Sequence, residues 1–438
     1  MKKFSLLFLI IFSIIIFTQF NCKSPTAPSG SGISISVADV SCTEVWLNLS
    51  ANHVTLPANI RIKKNGINFL NLNLTTKDTT LYDSTLSPNQ TYTYQAQYNK
   101  GFALERSGVV TAKTLDTTSS NFNWQVFTFG GGGGGSSLLY DVAIVNDTSI
   151  WVVGEIYTKD SVGKYNATHW DGEKWNFISI YYYDSNGSAY WNSINSIIAF
   201  NNNDIWFGNY THWNGNNFKS IPLTISFPST IDKFWGTSSN NLYIIGHTGL
   251  IAFFSNQTWQ RIESGTTLDI QDIWGTVNPI TNNEEIYCVA SNKYGIGGKT
   301  IDKKVIKISN GHAIEVSNTG LPWSISSIWF PQNARSIYIA GDGIFRNYQT
   351  PKDSTWENIT GNITQYYSHR IRGNGLNDIF ICGSYGDVAH FNGLRWTDYL
   401  GNGLQTINGN LYGLAVKGNT VCAVGSDGYN AIIVLGKR

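Results

Sequence analysis

Residues 231–265, IDKFWGTSSNNLYIIGHTGLIAFFSNQTWQRIESG, decide the fold, because their pattern returns before and after them. Apolar and polar residues alternate with period two, the spacing of a strand with one buried face. The alternation predicts strands over Ile231–Thr237, Leu242–Gly246, Leu250–Phe254 and Thr258–Ser264, joined by turns rich in Asn and Gly. No helical period interrupts them.

Seven copies of this unit can be counted from Leu139 onward. Their first strands read LYDVAIV, INSIIAF, IDKFWGT, IQDIWGT, ISSIWFP, SHRIRGN and LYGLAVK, and their second strands SIWVVG, DIWFG, NLYIIG, EIYCVA, SIYIAG, DIFICG and TVCAVG. Trp151, Trp206, Tyr243, Tyr287, Tyr338 and Phe380 share one place in the second strand, where the last copy has Cys422. Gly154, Gly208, Gly246, Gly341, Gly383 and Gly425 close that strand. A four-stranded meander cannot bury both of its faces alone, so the copies must stack around an axis. Third strands end in HWDGEKW, HWNGNNF and HFNGLRW, whose Asp-Gly and Asn-Gly pairs suit two-residue hairpins with positive φ. The aromatics that follow the third-strand turns, Trp175, Phe218, Trp259, Trp356 and Trp396, are expected to pack back on their sheets. The last copy stops after its third strand, Ile432–Gly436; upstream, NWQVF at 123–127 matches TWQRI at 258–262 and supplies the missing strand, removing an exposed edge.

The repeats together resemble a seven-bladed β-propeller of the WD-repeat-like superfamily, and more closely the propellers of bacterial surface lipoproteins. That likeness covers 122–438 and brings no assigned activity.

Between Ile33 and Thr117 the segments ISISVADV, VWLNLSA, IRIKKNG, TLYDSTL, YTYQAQY and VVTAKTL predict about seven short strands of a β-sandwich. Leu86-Ser-Pro-Asn-Gln-Thr-Tyr92-Thr-Tyr94 resembles the fibronectin type III motif in which Leu and Pro precede a corner Tyr, and Trp46 falls where that family buries an aromatic. The resemblance implies a spacer or an interaction platform. The expected class is therefore all-β: a fibronectin type III-like sandwich, then a seven-bladed propeller closed by an N-terminal strand.

Lys2 and Lys3 followed by the apolar run Phe4–Phe20 have the layout of an export signal. An uncleaved transmembrane helix is the alternative, but the run stops at Asn21-Cys22 and enters the polar KSPTAPSGSG. This resembles a bacterial lipoprotein signal, which implies acylation of Cys22 and anchorage in the cell envelope. The expected organisation is a signal peptide over 1–21, a flexible tether over 22–32, the sandwich over 33–117 and the propeller over 118–438.

Composition narrows function by exclusion. Thirty Lys and Arg against 29 Asp and Glu leave a net charge of +1, so no global field recruits nucleic acid. Cys42, Cys288, Cys382 and Cys422 fit no zinc spacing and are expected as buried thiols. His169, His212 and His390 fall in different repeats, too far apart to share one ion, so no metal is expected. The run Gly130–Gly135 lacks the Lys and helix of a phosphate loop, and no cofactor motif appears elsewhere.

A sialidase-like propeller enzyme would need an Arg clamp and repeated Ser-x-Asp-x-Gly-x-Thr-Trp boxes; only Lys352–Trp356 keeps a fragment of one. The sequence leans away from an enzyme. In such a meander the links from strand two to three and from strand four to the next sheet emerge on one face. Those links carry the aromatics Tyr182, Tyr190, Trp191, Tyr294 and Trp323, while Arg370 and Arg372 are the Arg residues of an innermost strand. These seven are the candidate ligand-binding residues, and a protein or a glycan is the expected partner. For Arg370 and Arg372, ion pairs with Asp141 or Asp272 are the competing assignment. A carbohydrate-active enzyme and a purely structural envelope protein are the alternative functions.

Overall fold

The computed structural model describes residues 32–130, 135–158, 164–221, 231–278, 282–292, 302–332, 335–348 and 355–438. The expected signal peptide, Cys22 and Tyr294 lie outside the described residues. Among those described, the chain is all-β, with one 3₁₀ turn at Ser384–Gly386 and no helix long and apolar enough to cross a membrane.

Contacts divide the chain into two compact units: Leu47–Leu81 and Thr91–Ala112 with the residues up to Ala38, and Lys113–Arg438 with Asp39–Trp46 and Tyr82–Gln90. Upstream of Asp116, one sheet orders Ile33–Val40, Val45–Ala51 and Asp78–Asp83. In the other, Ala58–Lys64 lies antiparallel between Ile67–Leu74 and Thr91–Lys100, and the latter continues to Ala103–Arg106 and Val110–Lys113. Alternation works here as the period-two pattern requires: Leu47, Leu49, Ile60 and Ile62 are buried while Asn48, Asn59 and Arg61 face solvent.

Among the described residues the second unit has seven four-stranded antiparallel sheets, at 138–178, 197–220, 231–261, 270–316, 325–358, 368–398 and 410–437, the last completed by 123–130. Each sheet's first strand contacts that of the next, and the seventh returns to the first. This closed circuit of meanders is a β-propeller arrangement. In the third sheet the strands are Ile231–Ser238, Asn241–Gly246, Ile251–Ser255 and Thr258–Arg261. The fourth strand ends three residues earlier than its alternation suggests.

Packing between sheets explains the recurring Trp-Gly pair of the first strands. The Trp235 indole N–H donates to the Gly275 carbonyl of the next sheet at 3.0 Å, and a Cβ on Gly275 would lie 2.6 Å from the Trp235 ring. Trp329 lies 3.0 Å from where a Cβ on Gly373 would stand, whereas Trp274 donates to the Phe330 carbonyl at 2.7 Å. The second-strand aromatics are buried in all six repeats that carry one, as is Cys422 in the seventh. Of the aromatics after the third-strand turns, Trp175, Trp259 and Trp356 are buried, whereas Phe218 and Trp396 are half-buried.

Asn123–Gly130 pairs with Asn430–Lys437 along its whole length, from Asn123 opposite Lys437 to Gly130 opposite Asn430. Trp124 stacks edge-on against Tyr399 at 4.8 Å in the core shared by the sixth and seventh sheets. The last sheet therefore has four strands, with its outer one drawn from upstream.

One irregularity recurs and positions the site. The first strands of six sheets carry a β-bulge near their start, so that Tyr140, Asp232, Gln271, Ser326, His369 and Tyr412 are extra residues in the ladder. A bulge bends its strand and re-aims a side chain. It also presses backbone against the end of the second strand: a Cβ on Gly154 would lie 2.1 Å from the Leu138 carbonyl oxygen, and one on Gly383 2.2 Å from that of Tyr367. The closing glycines of the second strands are the counterpart of these bulges.

Candidate functional site

The connection from the first sheet to the second builds a cleft. Asn166 is fully buried in the first sheet and donates 2.8 Å hydrogen bonds to the carbonyls of both Ile180 and Asn192, clamping the two ends of this connection. Between them Tyr182–Tyr183 and Ala189–Tyr190 form a short ladder, with Tyr182 opposite Tyr190. The turn is tied by the Asp184 carboxylate, which accepts the N–H groups of Asn186 and Ser188 and the Tyr190 hydroxyl at 2.9–3.1 Å. These donors, the Ser188 N–H foremost, hold Asp184 below the usual carboxylate range.

Tyr182, Tyr190 and Tyr210 wall a cavity of about 520 Å³, with Asn192, Asn195 and Asn209 among its polar lining. Tyr210 is held at φ +62°, and its ring meets Tyr182 edge-on at 6.2 Å. Asn209 is 5 % exposed; its side-chain nitrogen donates to the Ile180 carbonyl, and its Oδ1 is buried with no hydrogen-bond partner. A buried, unpartnered acceptor costs stability unless something donates to it. Hydrogen-bonding amides beneath three rings suit a ligand with apolar ring faces and hydroxyl donors.

A second cavity, of about 340 Å³, opens on the axis. All six bulge residues line it, joined by Asn195 at the matching place in the second sheet. The repeat backbone is common to the sheets while the residue type at the bulge is not, so the lining of this funnel changes from sheet to sheet. Tyr140, Tyr412 and His369 supply rings, the last two with centroids 4.9 Å apart. Across from them His247 bridges Asp232 at 3.4 Å and Asp269 at 3.0 Å.

One residue beyond the bulges, Asp141, Ser196, Lys233, Asp272, Ser327 and Arg370 follow one another around the axis, and Gly413 takes the seventh place. Asp141 binds Lys233 at 2.5 Å and accepts the Ile197 N–H at 3.0 Å. Asp272 accepts both terminal nitrogens of Arg372 at 2.9 and 2.8 Å and the Ser327 hydroxyl at 2.5 Å. Burial alone would raise the Asp272 carboxyl, but Arg372 and Arg370 overcome it and hold it well below the usual range. Burial draws Lys233 downward against the pull of Asp141. Arg370 donates to the carbonyls of Gln271 and Ser326, both at 3.1 Å, and stands 3.8 Å from Asp272.

The candidate residues thus do not form one site. Tyr182 and Tyr190 meet in the cleft. Trp191, next to Tyr190, is not in its lining; the Lys164 ammonium lies 4.1 Å over its ring. Trp323 is 47 % exposed on the approach to the fifth sheet. Arg370 lines the funnel, but Arg372 is 5 % exposed and spent on Asp272, so the ion-pair assignment describes it and a surface role does not. Tyr210, Asn209 and the bulge residues are not among the candidates taken from the sequence. The signal for five of the six bulges was there, in the Gly that closes the second strand; opposite the Gln271 bulge stands Ala290.

The three repeat histidines stay apart. His169 stacks on Trp151, His212 on Trp206 and His390 on Phe380, at 4.4, 4.8 and 4.3 Å, and His212 and His390 each bond an Asp of their own second strand at 2.8 Å. Among the described residues no group of three or more His, Cys, Asp or Glu is placed to hold a metal ion.

No protein-family model matches the chain, and no curated protein matches it. Among solved structures it is similar to YCF48 from Cyanidioschyzon merolae, at 14 % identity and a TM-score of 0.48 over 72 % of this chain and 98 % of that one. It is also similar to the WD40 β-propeller domain of Doa1, at 12 % identity and 0.48 over 73 % and 98 %, and to the C-terminal WD40 domain of Sif2, at 12 % and 0.41 over 79 % and 90 %.

Proposed function

We propose that the chain is an exported, lipid-anchored envelope protein in which a fibronectin type III-like sandwich precedes a seven-bladed propeller, and that the propeller binds a glycan on its loop-rich face. The observation that carries the binding reading is a cleft of about 520 Å³ walled by Tyr182, Tyr190 and Tyr210, with the amides of Asn192 and Asn195 in its lining. Sugars match this lining, with hydroxyls for the amides and a ring whose C–H face stacks on tyrosine. A protein partner anchored by an aromatic or Ser side chain is the second reading, favoured by the exposed rings of Tyr190 and Tyr183.

A glycan array and an envelope-protein pull-down on the full chain separate the two. Tyr182→Ala is expected to weaken glycan binding by roughly 1–3 kcal/mol with little change in melting temperature. A stability loss that accounts for the whole affinity loss would make these rings packing residues, and cleavage of an arrayed glycan would establish an enzyme. The anchor is tested apart from binding. Cys22→Ala should abolish fatty-acid labelling, and unchanged labelling rules the lipoprotein reading out.

A further inference from the structure

The axial funnel is a separate site, and its charge is unbalanced at one residue. Beneath it, three cations, Lys233, Arg370 and Arg372, face two carboxylates, Asp141 and Asp272. Lys233 takes Asp141, and Arg372 occupies both oxygens of Asp272. Arg370 is left with two backbone carbonyls and a 3.8 Å approach to a carboxylate already filled. Its charge is the excess one, and it lines the cavity.

The walls narrow the choice of ligand. Asp232 and Asp269 also line the funnel, but both are engaged by His247, so they offer a cation less than their formal charge suggests. They weigh against a doubly charged phosphate more than against a single carboxylate. Tyr140, Tyr412 and His369 present rings on one side, and Asn195, Gln271 and Ser326 add hydrogen-bonding groups around the rest. At about 340 Å³ the space is at the small end for a ligand site and suits one six-membered ring.

We propose that the axial funnel binds a single hydroxylated ring bearing one carboxylate, a hexuronate, with Arg370 holding the carboxylate and Tyr412 stacking on the ring. Arg370 Nη1 gives both its hydrogens to the Gln271 and Ser326 carbonyls and Nε is buried, so Nη2 is the nitrogen that meets the carboxylate, in one charge-assisted bond. Asn195 lines both this funnel and the tyrosine cleft, so an acidic glycan could place its charged residue here and a neutral one there. The proposal goes beyond the cleft reading and stands without it.

The test titrates the folded full chain with glucuronate, glucose and inorganic phosphate by calorimetry. Glucuronate is expected to bind roughly tenfold or more tighter than either of the others. Arg370→Gln should erase the preference for glucuronate over glucose, Arg370→Lys should keep part of it, and Tyr412→Ala should weaken both sugars. Equal binding of glucuronate and glucose overturns the proposal, as does no binding of glucuronate up to about 10 mM. Tighter binding of phosphate overturns it in favour of a plain anion site. If Arg370→Gln fails to fold, the wild-type comparison and Arg370→Lys decide alone. Loss of array binding with glucuronate binding retained would sink the cleft and leave the funnel standing.

Discussion

Sheets one to three and sheets four to six place the same side-chain kinds in the same order at the axis, Asp141–Ser196–Lys233 and Asp272–Ser327–Arg370, yet they close their charges differently. In the first set the third member pairs with the Asp. In the second, the partner is Arg372, two residues further along the strand, at the place Trp235, Trp274 and Trp329 hold in other sheets. A lysine is a point charge and meets one oxygen, whereas the arginine fork fills both. Because Arg372 satisfies Asp272 completely, Arg370 is released toward the funnel. The difference between the halves is therefore what turns a structural ion pair into a candidate ligand anchor.

The strongest way to break this comparison is Arg372→Met. It would leave Asp272, which is fully buried, with the Ser327 hydroxyl, the Ile328 N–H and, as its nearest cation, Arg370 at 3.8 Å. Removing one member of a buried pair costs about 3–5 kcal/mol, and that loss is expected in urea unfolding at neutral pH. A loss below about 1 kcal/mol would mean that Arg370 swings over to Asp272, and the claim that the two arginines have separate roles would fall.

Lys233→Met probes the other half and should cost less, about 2–3 kcal/mol, because Lys233 meets one oxygen of Asp141 where Arg372 fills both of Asp272, while each carboxylate keeps a Ser hydroxyl and a backbone N–H. Burial already draws Lys233 below its ordinary range, so its charged form is poorly compensated, unlike Arg372, whose affinity for its proton is raised by Asp272. Replacing Asp141 by Asn as well should recover most of the loss. If Lys233→Met proves as costly as Arg372→Met, the two halves are equivalent and the point-charge argument fails.

Much of this ring is legible from residues. The alternation over 231–265, the second-strand aromatics and the Trp124 match lead to strands that the structure places within a few residues, because each reflects one buried face and local turn chemistry. The site is less legible. Tyr182 and Tyr190 stand out as loop aromatics, but their partner Tyr210 follows a shortened second strand, DIWFG, whose missing residue shifts everything after it. The bulge residues have no type in common, so no repeat consensus marks Asp232 or His369. Only a Gly opposite, present for all but Gln271, which faces Ala290, is written in the sequence. Trp191 misleads for the opposite reason: it looks like a surface anchor and is instead covered by Lys164.

The smallest effect concerns a buried carboxylate with no cation beside it, which sharpens what the axial arginines do for Asp272. Asp387 is 1 % exposed in the turn after the second strand of the sixth sheet. It accepts the Thr364 hydroxyl at 2.5 Å, and its Oδ1 has no hydrogen-bond partner. Burial pushes its carboxyl up to about 6 from an ordinary 3.8, with the Asp398 carboxylate adding to the rise. The folded state then holds its proton where the unfolded chain has released it. Stability from this group is full below pH 3.8, declines as the pH rises, and is lost above about 6. Asp387→Asn keeps an oxygen for Thr364 and cannot ionise, so it should stabilise the protein by about 1–2 kcal/mol at pH 7 and by almost nothing at pH 4. Asp272, held low by Arg372 and Arg370, has the opposite sign: its contribution persists above the ordinary carboxylate range and fades only in strong acid. Urea midpoints of wild type and Asp387→Asn at the two pH values decide the matter. An equal gain at both would show that packing rather than ionisation distinguishes Asp387, and would remove the argument that the arginines are what keep Asp272 charged.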